Sequence, residues 1–353
     1  MINKNLFLVV IAGGSGTRFW PKSTSKRPKQ LLNFHPSSVS LLEQTLSRFD
    51  QLVSPEKKMI VTTQFLKQAI LEMELRVEIL AEPQGRNTAP CIYWAARQVA
   101  EKNPKGIMLV MPSDHYIARP DSFISVIEKA AQWAAENDDL VTLGIEPSRP
   151  ETGYGYLKTS PISENKSSLL PKRVESFIEK PSLEKAQKFI QSGDYLWNGG
   201  MFLWRAEVIL KAFDAFMPEM KKAWNKSLGK IEEVYPLMTA TSIDYGIMEK
   251  AKNVVTFPLD CGWDDLGSWT SLENLAVSLH AQQGSNVVTA GEVLAMESER
   301  NIIDTPKRFV ALLGVNDLII VEQGEALLIA HKDRSQEIRK IVEETKKRRP
   351  DLI

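Results

Sequence analysis

The chain has 353 residues, enough for one large domain and a smaller one at roughly 150 residues per domain. Its content is 43% hydrophobic and 25% charged, as in an ordinary globular protein, and 44 basic against 44 acidic residues leave a formal net charge of zero. Nothing in that balance points to nucleic acid or membrane, and Cys91 and Cys261, far apart in apolar or tight-turn contexts, cannot form a disulfide framework in a chain this size, so a reducing, cytoplasmic setting is expected.

The opening "MINKNLFLVVIAGG" superficially has the look of a signal peptide. Its apolar run ends in Gly-Gly-Ser-Gly-Thr-Arg with no small-residue cleavage site, so it reads as a buried first strand. From Leu6 to about Ile145, apolar runs alternate with segments of helical period. Strands are expected at Leu6–Ala12, Met59–Thr63, Val77–Ala81, Ile107–Met111 and Leu140–Ile145, and helices at Leu41–Phe49, Phe65–Met73, Ala89–Lys102 and Phe123–Glu136. Such alternation predicts βαβ units in a mostly parallel sheet covered on both faces. After Pro147 the chain becomes richer in Gly and aromatic residues, with a polar loop at Ile162–Lys172, and reads as insertions extending that sheet. A helix is expected to begin near Ser242, with Asp244 at its positive end. Beyond a boundary placed near residue 280, short strands with turn signals lead to a terminal helix whose buried face is expected to carry Ile338, Ile341 and Val342. No strong repeat is evident. The basic run Lys346 to Arg349 fits a solvated helix end better than a nucleic-acid patch.

Chemistry concentrates where the first strand stops, at "AGGSGTRFWP". The dinucleotide fingerprint fails because counting from Gly14 puts Phe19 at its last glycine, and the triphosphate P-loop fails because no Gly-Lys-Ser/Thr follows. What survives is a strand ending in glycines, whose backbone N–H groups can converge on an anion, with the forked donor of Arg18 beside them. The bland alternative is a tight strand-to-helix turn without a ligand. Lys29, in "SKRPKQLL", adds a second cation near the loop. "VMPSDHYI" ends the fourth apolar strand in Ser113, Asp114 and His115, at the carboxyl edge where open α/β sheets bind ligands, and a carboxylate there suits Mg²⁺. "CGWDDLGSW" offers a second acidic position at Asp264 or Asp265, against the plainer reading of an exposed turn.

Taken together, "AGGSGTRFWP…RPKQLL", "EPQGRNTAP", "PSDH", "GYGY", "FIEKP", "WNGGMF", "SIDYGIMEK" and "WDDLGSW" stand in the order seen in the sugar-nucleotide pyrophosphorylases. The chain closely resembles the mannose-1-phosphate guanylyltransferase branch of that family over roughly residues 5 to 280. The resemblance implies a Rossmann-like nucleotidyltransferase domain over 1–280, a small β-rich domain over 281–353, and transfer of GMP from GTP to mannose 1-phosphate. It further implies that Gly13, Gly14, Ser15, Gly16 and Thr17 hold the triphosphate with Arg18 and Lys29, while Gly85, Arg86 and Asn87 line the guanine pocket. Asp114 and Asp265 would hold catalytic Mg²⁺, with Asp265 preferred over Asp264 because the family pattern is Trp-x-Asp followed by an aliphatic residue and Gly; His115 would support them. Gly153, Glu179 and Asn198 would meet the mannose hydroxyls and Lys180 the sugar phosphate. Pro181 biases Lys180 toward an extended backbone, which would leave Glu179 on the opposite side of the strand.

Longer family members continue into a phosphomannose isomerase domain built around metal-binding histidines. Here His280 and His331 are isolated, so a single guanylyltransferase activity is expected, with the C-terminal part serving packing or subunit contact, for instance in a homodimer. The rivals are a pyrophosphorylase for another nucleotide or hexose phosphate, a non-catalytic nucleotide-sugar sensor, and a Rossmann oxidoreductase. The sensor has no need of two metal-binding carboxylates and the oxidoreductase lacks its last glycine.

Overall fold

The computed structural model describes residues 5–14, 16–34, 39–162, 170–277 and 280–353. In chain order the strands are β1 (Leu6–Ala12), β2 (Lys58–Thr63), β3 (Glu78–Glu82), β4 (Ile107–Pro112), β5 (Tyr116–Ile117), β6 (Leu140–Ile145), β7 (Gly155–Pro161), β8 (Lys172–Glu179), β9 (Tyr195–Arg205), β10 (Val254–Leu259), β11 (Trp263–Asp264), β12 (Gln282–Gln283), β13 (Asn286–Met296), β14 (Ile302–Leu313), β15 (Leu318–Gln323) and β16 (Ala326–His331). The first helices are α1 (Leu41–Ser47), α2 (Gln64–Leu71), α3 (Thr88–Lys102) and α4 (Pro120–Glu136). By contacts the chain falls into two units, one of Met1–Gly13, Arg48–Pro112 and Arg119–Cys261, the other of Gly14–Ser47, Ser113–Ala118 and Gly262–Ile353. Contact grouping therefore does not follow the linear boundary near 280, because the segments that leave the ends of β1 and β4 group with the C-terminal region.

The first unit is a nine-stranded sheet in the order β3-β2-β1-β4-β9-β6-β10-β8-β7. Pairs β1–β2, β2–β3, β1–β4 and β6–β10 are parallel. In β1 and β6 the strands are near-continuous apolar runs, as strands covered on both faces must be, and their Val and Leu side chains are buried, with Ile11 partly so. The segment after Pro147 does extend this sheet. It supplies β7, β8 and β9, which pair antiparallel, and β9 sits between the parallel strands β4 and β6. The helix expected at Ser242 is a short turn, Asp244–Met248, wound wider than an α-helix, with Glu249 N–H donating to Asp244 O at 3.0 Å. Ser242 Oγ still accepts from Tyr245 N–H at 3.2 Å, in the manner of the expected cap. The polar loop at Ile162–Lys172 lies largely outside the described residues.

In the second unit β12 to β16 form one sheet in sequence order. Here β13, β14 and β15 run parallel, stacking Val287 on Ile302 on Ile319 and Val288 on Ile303 on Ile320. The rungs are tied by asparagine. Asn286 Oδ1 accepts from Asn301 N–H and Nδ2 at 2.9 and 3.0 Å, and Asn301 Oδ1 accepts from Leu318 N–H at 2.9 Å. The structure thus carries a repeat without a strong repeat in the sequence, because each rung constrains little more than one apolar residue on each face of the sheet and an asparagine. The terminal helix, Ile338–Arg348, buries Ile338 and Val342 at an i, i+4 spacing, whereas Ile341 is 49% exposed, so the expected face is narrower by one residue.

Candidate functional site

The glycine loop and its cations lie mostly in the second unit. After β1, Gly13 and Gly14 are exposed, and Ser15 lies outside the described residues. Gly16 turns the chain at φ 58°, and a Cβ there would sit 2.4 Å from Lys29 Cβ and 2.8 Å from Lys29 N. Only glycine permits that approach, which seats Lys29 against the loop. Thr17–Phe19 make one tight turn that leaves Arg18 exposed, with its Nη1 donating to Gly267 O at 3.2 Å. Lys29 is 7% exposed. Its ammonium is 2.9 Å from Asp114 Oδ2, donates to Asp265 O, and lies 5.9 Å from the Phe19 ring centroid. A desolvated ammonium is tolerable only with such compensation.

The two acidic segments are joined by a short antiparallel ladder, in which β5 pairs with β11 through Tyr116 with Asp264 and Ile117 with Trp263. That pairing puts Asp114, just before β5, and Asp265, just after β11, on the same cleft. Burial pushes the Asp114 carboxyl up, but the Lys29 ammonium and then His115 outweigh it and hold it below its ordinary range. His115 Nδ1 accepts from Trp263 Nε1 at 3.1 Å, with the rings edge to face, so His115 supports the ladder. Asp264 is 5% exposed and turned inward: Oδ1 accepts from Leu266 N–H at 2.7 Å and Oδ2 from Asn274 Nδ2 at 3.3 Å. Arg18, Lys29, Asp114 and Asp265 thus line a cleft of about 370 Å³, joined there by Arg339 from the terminal helix. Asp114 and Asp265 present carboxylate oxygens to a polar cleft, the donor type a hard divalent ion takes, and among the described residues no group of three or more His, Cys, Asp or Glu is placed to hold a metal ion.

The base loop and the sugar motifs lie in the first unit. Glu82 ends β3 almost wholly buried and accepts from Tyr235 Oη; burial pushes its carboxyl up to about 7 against that hydrogen bond. Gly85 and Asn87 are exposed. Arg86 Nη1 donates to Met238 O at 2.7 Å, and its Nε and Nη2 reach the Gln84 amide oxygen at 2.7 and 2.9 Å, so its guanidinium braces the loop. Asn87, at φ 66°, starts α3 and accepts from Thr88 N–H at 2.8 Å, and Thr88 Oγ1 accepts from Ile243 N–H at 2.8 Å.

Around the sugar motifs, β7 and β8 pair Gly155 with Glu179, and a Cβ on Gly155 would fall 2.5 Å from Glu179 Oε2. Asn198 is held on both ends of its amide: Nδ2 donates to Asp244 Oδ1 at 3.0 Å, and Oδ1 accepts from Thr142 Oγ1 at 2.8 Å. Burial, then the nearby Glu179 charge, push the Asp244 carboxyl up to about 6. Gly153 is exposed, with its N–H donating to Glu151 Oε1 at 3.0 Å.

The chain matches the nucleotidyl transferase family over residues 8–283 and a mannose-phosphate isomerase/GMP-like β-helix domain over residues 291–345. It is 35% identical to a mannose-1-phosphate guanylyltransferase of Escherichia coli, over 98% of this chain and 74% of that protein. The chain belongs to the mannose-1-phosphate guanylyltransferase family. An alginate biosynthesis protein of Pseudomonas aeruginosa is 34% identical over 95% of this chain and 71% of its own length. A crystal structure from Thermus thermophilus, described as a mannose-1-phosphate geranyltransferase, matches with a TM-score of 0.88 at 32% identity, over 97% of this chain and 99% of that one.

In this guanylyltransferase the structure departs from the sequence reading at Lys180. The residue adopts φ 48° in place of the extended backbone expected before Pro181, and its ammonium lies 3.2 Å from Glu179 Oε1 instead of across the strand from it. The proline excludes the right-handed helical region for Lys180, and a left-handed turn satisfies that exclusion while leading from β8 into the helix Leu183–Ser192. Asp244, which the sequence reading places at a helix end, faces Asn198 here, and Arg339, which lines the cleft, carries no signal in the sequence.

Proposed function

We propose that the chain transfers GMP from GTP to α-D-mannose 1-phosphate, giving GDP-mannose and pyrophosphate, with the triphosphate received in the cleft of Gly16, Arg18 and Lys29 and Mg²⁺ held by Asp114 and Asp265. The observation that carries this reading is the buried Lys29 ammonium, fixed between Asp114 and the Asp265 carbonyl beside the glycine loop. A turn without a ligand needs no such arrangement.

The attacking oxygen of mannose 1-phosphate is already anionic, so no protein base is required and catalysis reduces to in-line positioning and charge neutralisation. Arg18 and Lys29 supply fixed positive charge to the phosphates, and the glycine loop supplies backbone donors. Mg²⁺, when bound, would offset charge on the phosphate oxygens as the α-phosphorus is attacked. Lys180 is 59% exposed at its side chain and, among the described residues, forms an ion pair only with its neighbour Glu179. It exchanges that partner for the sugar phosphate, which frees Glu179 to accept from mannose hydroxyls beside the pre-set Asn198. Guanine is read by the Gly85–Asn87 loop, which Arg86 stiffens. Both cysteines are free and buried, which supports a reducing, cytoplasmic setting. Among the described residues no helix is long and apolar enough to cross a membrane.

A pyrophosphate-release assay crossing nucleoside triphosphates with sugar 1-phosphates tests the reading. GTP with mannose 1-phosphate is expected to turn over fastest, and ATP to fall behind by about 10- to 100-fold because matched polar groups lose roughly 1–3 kcal/mol each when unpaired. Equal rates with ATP and GTP overturn the guanine assignment, and equal rates with glucose 1-phosphate overturn the mannose assignment.

A further inference from the structure

Several charges in and beside the C-terminal helix pair with one another. Arg334 and Lys340 pair with Glu337 at 3.0 and 2.8 Å, Lys347 with Glu344 at 2.6 Å, and Arg349 with Asp351 at 2.7 Å. Arg339 has Glu343 four residues ahead, at a spacing where helical ion pairs form. Among the described residues it nevertheless makes no ion pair, and it lines the cleft that holds Arg18 and Lys29.

Its position is set by packing within one unit. Ile338 and Val342 share a core cluster with Phe19 and Trp20, the residues that follow Arg18. Trp20 Nε1 donates to Leu352 O at 3.0 Å, and Ser25 Oγ and N–H both donate to Ile353 O, at 2.8 and 3.3 Å. The last helix and tail are thereby fastened to the segment that carries Arg18. Within the cleft, Lys29 is already held by Asp114, whereas Arg18 and Arg339 make no ion pair among the described residues and add their charge to that of Lys29 for a polyanion.

We propose that Arg339 is a further phosphate-binding residue of this cleft, contacting the pyrophosphate portion of the triphosphate, and that the C-terminal helix thereby completes the nucleotide site. The inference rests on the phosphate reading of the cleft. A guanidinium with no carboxylate partner keeps its forked donors for two phosphate oxygens, and no internal pair has to break when the ligand arrives.

The test is calorimetric binding of inorganic pyrophosphate with Mg²⁺ present, together with steady-state kinetics, on wild type, Arg339→Ala, Arg339→Glu and Arg18→Ala. Arg339→Ala is expected to weaken pyrophosphate binding and raise the KM for GTP by about tenfold or more, as loss of a charged hydrogen bond does, with the KM for mannose 1-phosphate within about twofold and an unchanged melting temperature. Arg339→Glu should lose more than Arg339→Ala, since it inverts the charge while keeping a long exposed side chain. Wild-type pyrophosphate affinity and GTP KM in both Arg339 variants overturn the inference. If wild type binds no pyrophosphate and Arg18→Ala leaves the KM for GTP unchanged, the phosphate reading of the cleft fails first and takes the inference with it.

Discussion

The cleft around Lys29 and the cluster around Asn198 handle charge in opposite ways. In the cleft, cations outnumber carboxylates, Lys29 is pinned, and Asp114 is held ionised below its ordinary range. Around Asn198 the acids dominate: Glu179 and Asp244 stand near a single exposed Lys180, and the Asp244 carboxyl is pushed up to about 6. Under the proposed function, a polyanion meets fixed positive charge organised before it arrives, and a polyol with one phosphate meets hydrogen-bond acceptors and one cation free to change partners. The contrast shows how one chain prepares two environments from the same few residue types by varying burial and pairing.

The contrast breaks most sharply at the acids of the cleft. Asp265→Asn is expected to lower kcat by about 10²- to 10³-fold with the fold intact, since an amide cannot hold a divalent ion against water, as for other preorganised electrostatic groups. Asp264→Asn should chiefly lower the melting temperature, because its carboxylate organises the Leu266 turn. Kinetics and thermal unfolding on both variants decide it, and the reverse pattern would exchange their roles.

Lys180→Met comes next. If the ammonium meets the sugar phosphate, kcat/KM for mannose 1-phosphate drops by about 10²-fold while GTP binding measured without sugar is unchanged, and Lys180→Arg restores only part because its planar fork is a different donor. If Lys180 does no more than pair with Glu179 at the surface, an interaction usually worth at most about 1 kcal/mol, the Met variant runs near the wild-type rate.

The smallest expected effect is a pH dependence of stability. The folded-state carboxyl of Asp244 lies near 6, above its ordinary value, so the native state holds that proton more tightly than the unfolded chain does. Its contribution is favourable in acid and is lost as pH rises through about 6. Asp244→Asn, which can keep the bond from Asn198, should therefore gain on wild type by roughly 2 kcal/mol between pH 4 and pH 7 in denaturant titrations. A constant difference across that range would place the carboxyl at an ordinary value and weaken the contrast between the two regions.

Much of the scaffold was legible in the linear chain. β1 and β6 fall where their apolar runs begin and end, and α1, α2, α3 and α4 lie within a few residues of their predicted spans. The parallel strands β13 to β15 were not legible as a repeat, since each rung asks for little more than one apolar residue on each face of the sheet. Of the site, the glycine loop, Lys29, Asp114 and the Asp264–Asp265 pair were visible as residue types at strand ends. Which aspartate turns outward, and which side of Glu179 the Lys180 ammonium takes, were decided by the β5–β11 ladder and by a left-handed turn.

The sequence by itself determined the strands, the loops between them and the kinds of charged group each loop carries, because hydrophobic period and the backbone limits of glycine and proline act over a few residues. Only the tertiary structure decided which of those groups share a cleft. Arg18 and Arg339 stand at opposite ends of the chain and meet because Phe19 and Trp20 bury themselves in the same core as Ile338 and Val342. Apolar burial is non-directional and indifferent to separation along the chain, so the partners it brings together cannot be read from spacing alone.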